Sequence, residues 1–195
     1  DFTYGVGDLC SITEDVWVSP DGDDNSLGTS VSEAFLTIGR ALEMIAPDEN
    51  NVITIYLTEG TFSPSTTGEE FPIIMISNVN LIGQGEEVTI LDAESSDRVI
   101  NIINCQNNII SDLTISNGSP TVETVNSENG GGVYMSNSNS IIKNSIIKNN
   151  WTSNAGGGIA IISSNPSLID LKIYNNSSNS SGGGMYLKYS NAQII

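Results

Sequence analysis

Aspartate and asparagine alternate at one place in a repeated sequence pattern, which makes this place the first candidate for chemistry. The three residues are Asp112, Asn144 and Asp170. Enzymes that hydrolyse glycosidic bonds with inversion hold two carboxyl groups about 6.5–9.5 Å apart. If consecutive copies stack as neighbouring strands, Asp112 and Asp170 lie two strand spacings apart, about 9.6 Å, just beyond that range. They are therefore weak catalytic candidates, and a bend that accepts either Asp or Asn explains them more simply.

A second group of oxygen-bearing side chains forms an acidic turn near the N-terminus. Its members are Asp21, Asp23, Asp24 and Asn25. Oxygen ligands at alternate positions suit Ca²⁺, which takes about six to eight of them. Ser26 and Ser32 stand where a calcium loop of the helix-loop-helix type has Gly and a bidentate Glu. The turn is the best candidate for a metal site, with Ca²⁺ as its ion, and a plain turn is the alternative. We expect no cofactor to be required.

Composition excludes several other kinds of chemistry. The 195-residue chain contains no His, which rules out His-dependent nucleophilic triads and imidazole metal sites. Six basic residues against 23 acidic ones give a net charge of −17, so phosphate backbones and anionic membranes are repelled. An anionic polysaccharide would bind only if a divalent cation bridged it. We expect no nucleic-acid partner, and no membrane insertion, because no apolar run reaches about 18 residues.

An internal repeat reveals the elements that would position these side chains. Three Gly-Gly-Gly triplets, at residues 130–132, 156–158 and 182–184, stand 26 residues apart. Short apolar runs interrupted by Gly, Asn and Ser, without helical spacing, are typical of a solenoid of strands with one coil per repeat. Because stacked coils pair about 4.8 Å apart, residues one repeat apart lie directly above one another.

One column of the repeat contains asparagine in every copy. Its members are Asn78, Asn107, Asn139, Asn165 and Asn191. We expect these amides to turn inward at a tight bend and to pass hydrogen bonds from coil to coil as a structural ladder. A plain preference of Asn for turns is the alternative.

Two features predict a binding surface. Tyr134 and Tyr186 share a register in alternate coils, with Ala160 between them, and so are candidates for a sugar-stacking face. Exposed strand aromatics without a ligand are the alternative. One coil is also longer than its successors, so extra residues within 119–129 must leave the coil as a loop. Insertions in solenoids gather on functional faces, although tolerated surface length is as common.

The chain divides into an N-terminal part, residues 1–50, and the coils, residues 51–195. Apolar residues three and four apart predict an amphipathic helix that caps the first coil. These residues are Phe35, Ile38, Ala41, Leu42 and Ile45. Pro47 ends the predicted helix. Residues 1–15 carry no strong pattern and are interpreted as a lead-in.

Two sequence motifs resemble known proteins. Residues 147–150, Ile-Lys-Asn-Asn, precede Gly-Gly-Ile, and residues 173–176, Ile-Tyr-Asn-Asn, precede Gly-Gly-Met. This order resembles the repeats of bacterial surface proteins, including polymorphic outer-membrane proteins. Residues 17–20, Trp-Val-Ser-Pro, with the segment after them, resemble the entrance block of secreted β-helix proteins. The chain is thus similar to the right-handed parallel β-helices of the pectate-lyase-like superfamily, an all-β solenoid fold.

The resemblance implies a secreted or cell-surface protein. The superfamily includes polysaccharide lyases and hydrolases, but the lysines of this chain join no acidic cluster of the lyase type. We therefore expect a non-catalytic module that is structural or adhesive, or that binds a polysaccharide or another surface protein. The alternative is a carbohydrate-active enzyme, a lyase or a glycoside hydrolase, whose site lies on the strand face or in coils beyond Ile195.

The C-terminal end of the sequence and its two cysteines add further expectations. The chain stops about half-way round a predicted coil, which predicts a segment of a longer solenoid. Cys10 and Cys105 permit one internal disulfide that would clamp the lead-in to a coil. Two unrelated small apolar residues are the alternative.

Overall fold

The computed structural model describes residues 11–120 and 129–195. These residues form one α-helix, α1 (Ile38–Met44), one 3-10 helix (Val31–Glu33) and a series of short strands. In chain order the strands are β1 (Val16–Val18), β2 (Ile53–Leu57), β3 (Gly60–Phe62), β4 (Ile73–Ile74), β5 (Val79–Ile82), β6 (Thr89–Asp92), β7 (Ile100–Ile103), β8 (Ile109–Ser111), β9 (Thr114–Ser116), β10 (Val133–Ser136), β11 (Ile141–Lys148), β12 (Trp151–Thr152), β13 (Ile159–Ile162), β14 (Ser167–Tyr174), β15 (Ser177–Ser178), β16 (Met185–Lys188) and β17 (Gln193–Ile194).

The strands stack in parallel and form three faces. Face A contains β1, β2, β5, β8, the first halves of β11 and β14, and β17. Face B contains β3, β6, β9 and the second halves of β11 and β14, and face C contains β4, β7, β10, β13 and β16. The short pair β12 and β15 lies in the connection from face B to face C. The predicted all-β parallel solenoid is confirmed, with about five coils.

Columns of aliphatic side chains fill the interior. One column runs across face A, and each of its members is at most 1% exposed: Val16, Ile55, Leu81, Ile110, Ile142 and Leu168. Burying one such side chain stabilises the fold by about 1.5–3 kcal/mol. Each coil adds one member to every column, so the core lengthens with each coil. The outward-facing strand positions are not needed for the core.

The predicted capping helix is present as a short helix. Its Ile38 and Ala41 are fully buried, and the Thr37 side chain accepts the backbone N–H of Arg40 at 3.1 Å as an N-cap. The helix begins at Ile38, three residues after the start of the predicted apolar spacing. Phe35 is outside the helix because its backbone N–H donates to the carbonyl oxygen of Trp17 on β1. Strand β1, which also precedes residue 50, pairs with β2 and belongs to face A.

The column of predicted ladder asparagines lies at the surface. Nδ2 of Asn107 donates to Oδ1 of Asn78 at 2.8 Å, while the backbone N–H groups of Asn165 and Asn191 donate to Oδ1 of the asparagine one coil earlier. Asn78 is partly buried, and the other four asparagines of the column are exposed. The expectation that these amides turn inward is therefore wrong, because they occupy the corner before face A where side chains point to solvent.

Inward-facing polar ladders occur in other columns of the coils. Asn150 is 1% exposed; its Oδ1 accepts the N–H of Gly118 at 2.8 Å, and its own N–H donates to Oδ1 of Asn176 at 3.0 Å. In another column, the hydroxyls of Ser138 and Ser164 accept backbone N–H groups of the preceding coil at 2.9 and 3.0 Å. These four side chains thus pair buried polar groups from coil to coil, whereas Oδ1 of Asn108 and the hydroxyls of Ser111 and Ser140 are buried without a hydrogen-bond partner in the described part of the chain.

Two expectations fall partly outside the described residues. Cys10 is one of the residues that the structure does not describe, and so are residues 121–128 of the predicted insertion. Cys105 is buried, and its thiol donates to the carbonyl oxygen of Met75 at 3.1 Å. The proposed disulfide therefore stays a prediction.

Candidate functional site

A column of outward-facing side chains crosses face C. The parallel register places Tyr134 beside Ala160 and Ala160 beside Tyr186. Val133 and Met135, the neighbours of Tyr134 along β10, are fully buried in the core. Because side chains alternate along a strand, Tyr134 is turned away from the core. It is nevertheless only 6% exposed, and Ala160 is fully buried. The two tyrosines singled out in the sequence thus stand on alternate strands of one sheet.

Tyr134 and Tyr186 line the same surface depression, here called the tyrosine depression. Its lining residues are Asn129, Tyr134, Asn154, Ala155, Ile162, Ser180, Ser181, Tyr186 and Lys188. Tyrosine presents an apolar body with a polar tip, and amides and hydroxyls both donate and accept hydrogen bonds. Among these lining residues, all within the described part of the chain, none is acidic. The depression has the chemistry to bind a hydroxyl-rich ligand.

Arg98 packs against this depression. Its Cζ lies 4.9 Å from the centroid of the Tyr134 ring, and the residue is only 3% exposed. Burial lowers the pKa of Arg98 to about 10, so the guanidinium remains charged at neutral pH. Sequence reasoning missed this residue because a single arginine before a strand belongs to no repeat or motif.

A second depression, the acidic groove, lies at the bend between faces A and B. Its lining residues are Gly85, Glu86, Asp112, Asn144, Asp170 and Lys172. Asp112, Asn144 and Asp170 have φ of 60°, 48° and 50°, a left-handed conformation that Asp and Asn adopt more readily than most residues. Nδ2 of Asn144 donates to Oδ1 of Asp112 at 3.1 Å. The two carboxylates therefore flank an amide in successive coils.

The acidic groove also contains an ion pair between Lys172 and Glu86. The hydrogen bond and charge of Glu86 raise the pKa of Lys172. A lysine held in its protonated form is a poor general base at neutral pH. The sequence held no sign of this pair, since its partners are 86 residues apart. Asp112 and Asp170 stay weak catalytic candidates.

The acidic turn directs its side chains to different partners. Oδ1 of Asp24 accepts the backbone N–H groups of Leu36 and Thr37 at 2.8 and 2.9 Å, next to the start of α1. Oδ1 of Asp23 accepts two hydrogen bonds from Asn25, which lower the pKa of Asp23. In the part of the chain that the structure describes, no group of three or more acidic or Cys side chains could hold a metal ion. The site at Asp21, Asp23, Asp24 and Asn25 stays a prediction.

Glu69 is a buried carboxyl that sequence reasoning did not find. It is 2% exposed, and its two oxygens accept the backbone N–H groups of Ile38 and Gly39 at 2.7 and 3.0 Å. Burial raises the pKa of Glu69 to about 7, and repulsion by Asp24 and Glu70 adds to the shift. Glu69 thereby ties the loop after β3 to the first turn of the capping helix.

These features define the class of protein: a parallel β-solenoid with polar and aromatic depressions on its outer faces. The chain belongs to the family described as "Protein of unknown function (DUF1565)", whose model matches residues 20–189. A search of curated proteins finds no match. Among residues 11–120 and 129–195, no helix is long and apolar enough to cross a membrane.

Solved structures with a similar backbone include pectin methylesterases. The chain is similar to pectin methylesterase PemA from Erwinia chrysanthemi, with 12% identity, a TM-score of 0.48 and coverage of 81% of this chain and 50% of that one. A pectin methylesterase in complex with a hexasaccharide gives 13% identity, a TM-score of 0.49 and coverage of 94% and 67%. A mutant pectin methylesterase in complex with a hexasaccharide gives 12% identity, a TM-score of 0.48 and coverage of 82% of this chain and 56% of that one. The chain thus spans about half the length of two of these proteins.

Proposed function

We propose that this protein is a non-catalytic extracellular or cell-surface module that binds a polysaccharide, or a partner carrying one, at the tyrosine depression. The observation that carries the proposal is the common location of Tyr134 and Tyr186 with amide, hydroxyl and ammonium groups in one depression. Aromatic surface with a few convergent polar groups is the usual composition of a small-ligand site.

The scaffold supports this proposal because it keeps the site rigid. Tyr134 and Tyr186 belong to β10 and β16, and β13 between them pairs with both over four residues. Sites built on strands are held more exactly in place than sites on loops. A ligand therefore meets an arrangement that is already formed, which reduces the entropy lost on binding.

Charge supports a neutral ligand. The chain carries a net charge of −17, yet the lining of the tyrosine depression contains Lys188 and none of the acidic residues in the described part of the chain. A neutral glycan approaches without repulsion, whereas a uronate polymer is opposed by the overall charge. We expect a uronate polymer to bind only in the presence of a bridging divalent cation such as Ca²⁺; the acidic turn stays a separate candidate site for Ca²⁺.

Titration calorimetry with soluble neutral and uronate polysaccharides, with and without Ca²⁺, tests this function. We expect Tyr186→Ala to weaken binding of the best neutral polysaccharide roughly tenfold, the factor that corresponds to about 1.4 kcal/mol. The matched control is Tyr174→Ala, since Tyr174 is 44% exposed on β14 and lies outside the depression. No binding by the wild type, or equal losses in both variants, would contradict the proposal.

A carbohydrate-active enzyme is the second candidate. The acidic groove favours it, because Asp112 and Asp170 share that groove with Lys172. The test is incubation with the same polysaccharides, followed by assays of unsaturated products and of new reducing ends. Turnover that is lost in Asp112→Asn or Asp170→Asn would establish the enzyme and replace the non-catalytic proposal.

A further inference from the structure

Arg98 bonds a neighbouring residue on β7 and the backbone just before β10, 31 and 32 residues further along the chain. Nη1 donates to Oδ1 of Asn101 on β7 at 2.6 Å, Nε donates to the carbonyl oxygen of Gly130 at 2.7 Å, and Nη2 donates to that of Asn129 at 2.6 Å. Its Cζ lies 4.9 Å from the Tyr134 ring centroid. One guanidinium therefore joins two adjacent strands and the backbone that leads into β10.

The geometry of Arg98 is fixed by burial. Arg98 is 3% exposed. Removing its charge from water costs free energy, and only hydrogen bonds to its donors offset that cost. The planar guanidinium offers donors in a rigid fork, and a lysine ammonium cannot reproduce that fork. Any movement of the guanidinium would leave the carbonyl groups of Asn129 and Gly130 without these bonds.

From this geometry we propose that Arg98 is the positioning residue of the tyrosine depression. It holds the Tyr134 ring and the backbone at Asn129 in the arrangement that a ligand meets. Arg98 is not among the lining residues, whereas Tyr134 and Asn129 are, so it acts through them. The ligand is the polysaccharide of the proposed function. Only the effect of Arg98 on ligand binding rests on that function; its effect on Tyr134 does not.

The first test needs no ligand. Tetranitromethane nitrates tyrosines according to their exposure, and mass spectrometry assigns the modified residue. Wild-type Tyr134, 6% exposed, reacts slowly, and Tyr174, 44% exposed, reacts fast. In Arg98→Met we expect the rate at Tyr134 to rise several-fold while the rate at Tyr174 stays unchanged. Arg98→Lys keeps the positive charge but lacks the forked donors of the guanidinium. We expect its nitration rate at Tyr134 to lie between those of the wild type and Arg98→Met.

Two results of the nitration experiment would overturn the inference. An unchanged rate at Tyr134 in both variants shows that Arg98 does not hold the ring. If the nitration rates of all tyrosines rise together in Arg98→Lys, and the thermal stability falls as well, Arg98 has a role in folding alone. Should Arg98→Met not fold, Arg98→Lys decides between these results.

The second test is binding of the best neutral polysaccharide from the calorimetric panel. We expect Arg98→Met to weaken binding roughly tenfold, the same loss as for Tyr186→Ala, because Tyr134 is no longer held in place. Arg98→Lys should bring a smaller loss. Arg40→Met is the control, since Arg40 lies on α1 and lines another depression. Equal losses in Arg98→Met and Arg40→Met would overturn the inference. If the wild type binds no polysaccharide, the proposed function fails, while nitration still decides whether Arg98 positions Tyr134.

Discussion

Two buried ionisable side chains, Glu69 and Arg98, show how single residues connect this solenoid. Each is at most 3% exposed and reaches backbone groups in another part of the chain: Glu69 bonds N–H groups of α1, and Arg98 bonds carbonyl groups before β10. A buried charged group without such partners would be strongly destabilising. Both residues therefore fix non-repeating parts of the chain to the regular coils.

Glu69 leads to a prediction about pH. Its pKa is raised from 4.5 to about 7 by burial. Since the folded pKa exceeds the unfolded one, the stabilisation by protonated Glu69 is complete below about pH 4.5 and is lost as the pH rises through about 7. We expect wild-type stability to fall by roughly 3 kcal/mol relative to Glu69→Gln over this interval.

Urea unfolding at a series of pH values measures this difference. The exposed Glu59 provides the control, as Glu59→Gln, because it is not among the groups that raise the pKa of Glu69. A wild-type curve that runs parallel to the Glu69→Gln curve between about pH 4.5 and 7 would contradict the assignment.

At the scale of elements, the coils are joined by ladders of small polar residues. Asn150 is the best example, because its buried amide bonds Gly118 in one neighbouring coil and Asn176 in the other. The exposed asparagines such as Asn139 make similar bonds in contact with water, where a hydrogen bond contributes less. Stability should therefore depend on the buried column and much less on the exposed one.

The ladder prediction compares a buried asparagine with an exposed one, each bonded to a neighbouring coil. We expect Asn150→Ala to lower the free energy of unfolding by about 2–3 kcal/mol, because it leaves buried backbone groups without partners. Asn139→Ala should lower it by less than about 1 kcal/mol, since water replaces the lost amide. Equilibrium unfolding in urea gives both values, and a loss in Asn139→Ala as large as that in Asn150→Ala would refute the assignment of the inward ladder.

For the whole molecule, the close stacking of coils is the main constraint. The Gly triplets lie where backbone meets backbone: a Cβ on Gly132 would stand 2.6 Å from the carbonyl oxygen of Gly158 and 2.9 Å from Nδ2 of Asn150. In contrast, a Cβ on Gly39 of α1 would meet only Oε1 of Glu69, at 3.5 Å. Coil spacing therefore leaves no room for a side chain at Gly132.

Gly132→Ala should destabilise the solenoid by roughly 1–3 kcal/mol through overpacking. Gly39→Ala should change stability by no more than about 1 kcal/mol, because the helix accepts alanine readily. Thermal unfolding followed by circular dichroism compares the two variants. A neutral Gly132→Ala variant would mean that neighbouring coils are not in such close contact.

The sequence by itself determined the parallel solenoid, the coil spacing and the short N-terminal cap. Stacking puts equivalent residues of successive coils into the same surroundings: a Cβ on Gly132 or on Gly158 would stand 2.6 Å from the carbonyl oxygen of the glycine one coil later. The Gly triplets therefore recur with a period that can be read directly. The common register of Tyr134 and Tyr186 could be inferred in the same way.

Only the tertiary structure decided which side chains point inward and which distant residues meet. Asn149 and Asn150 are alike in sequence, yet the turn of the backbone exposes the first and buries the second. Contacts such as Lys172 with Glu86 and Arg98 with Tyr134 join residues whose partners do not recur from coil to coil. Such contacts leave no periodic trace, because they arise from the path of the chain between coils and not from the repeat itself.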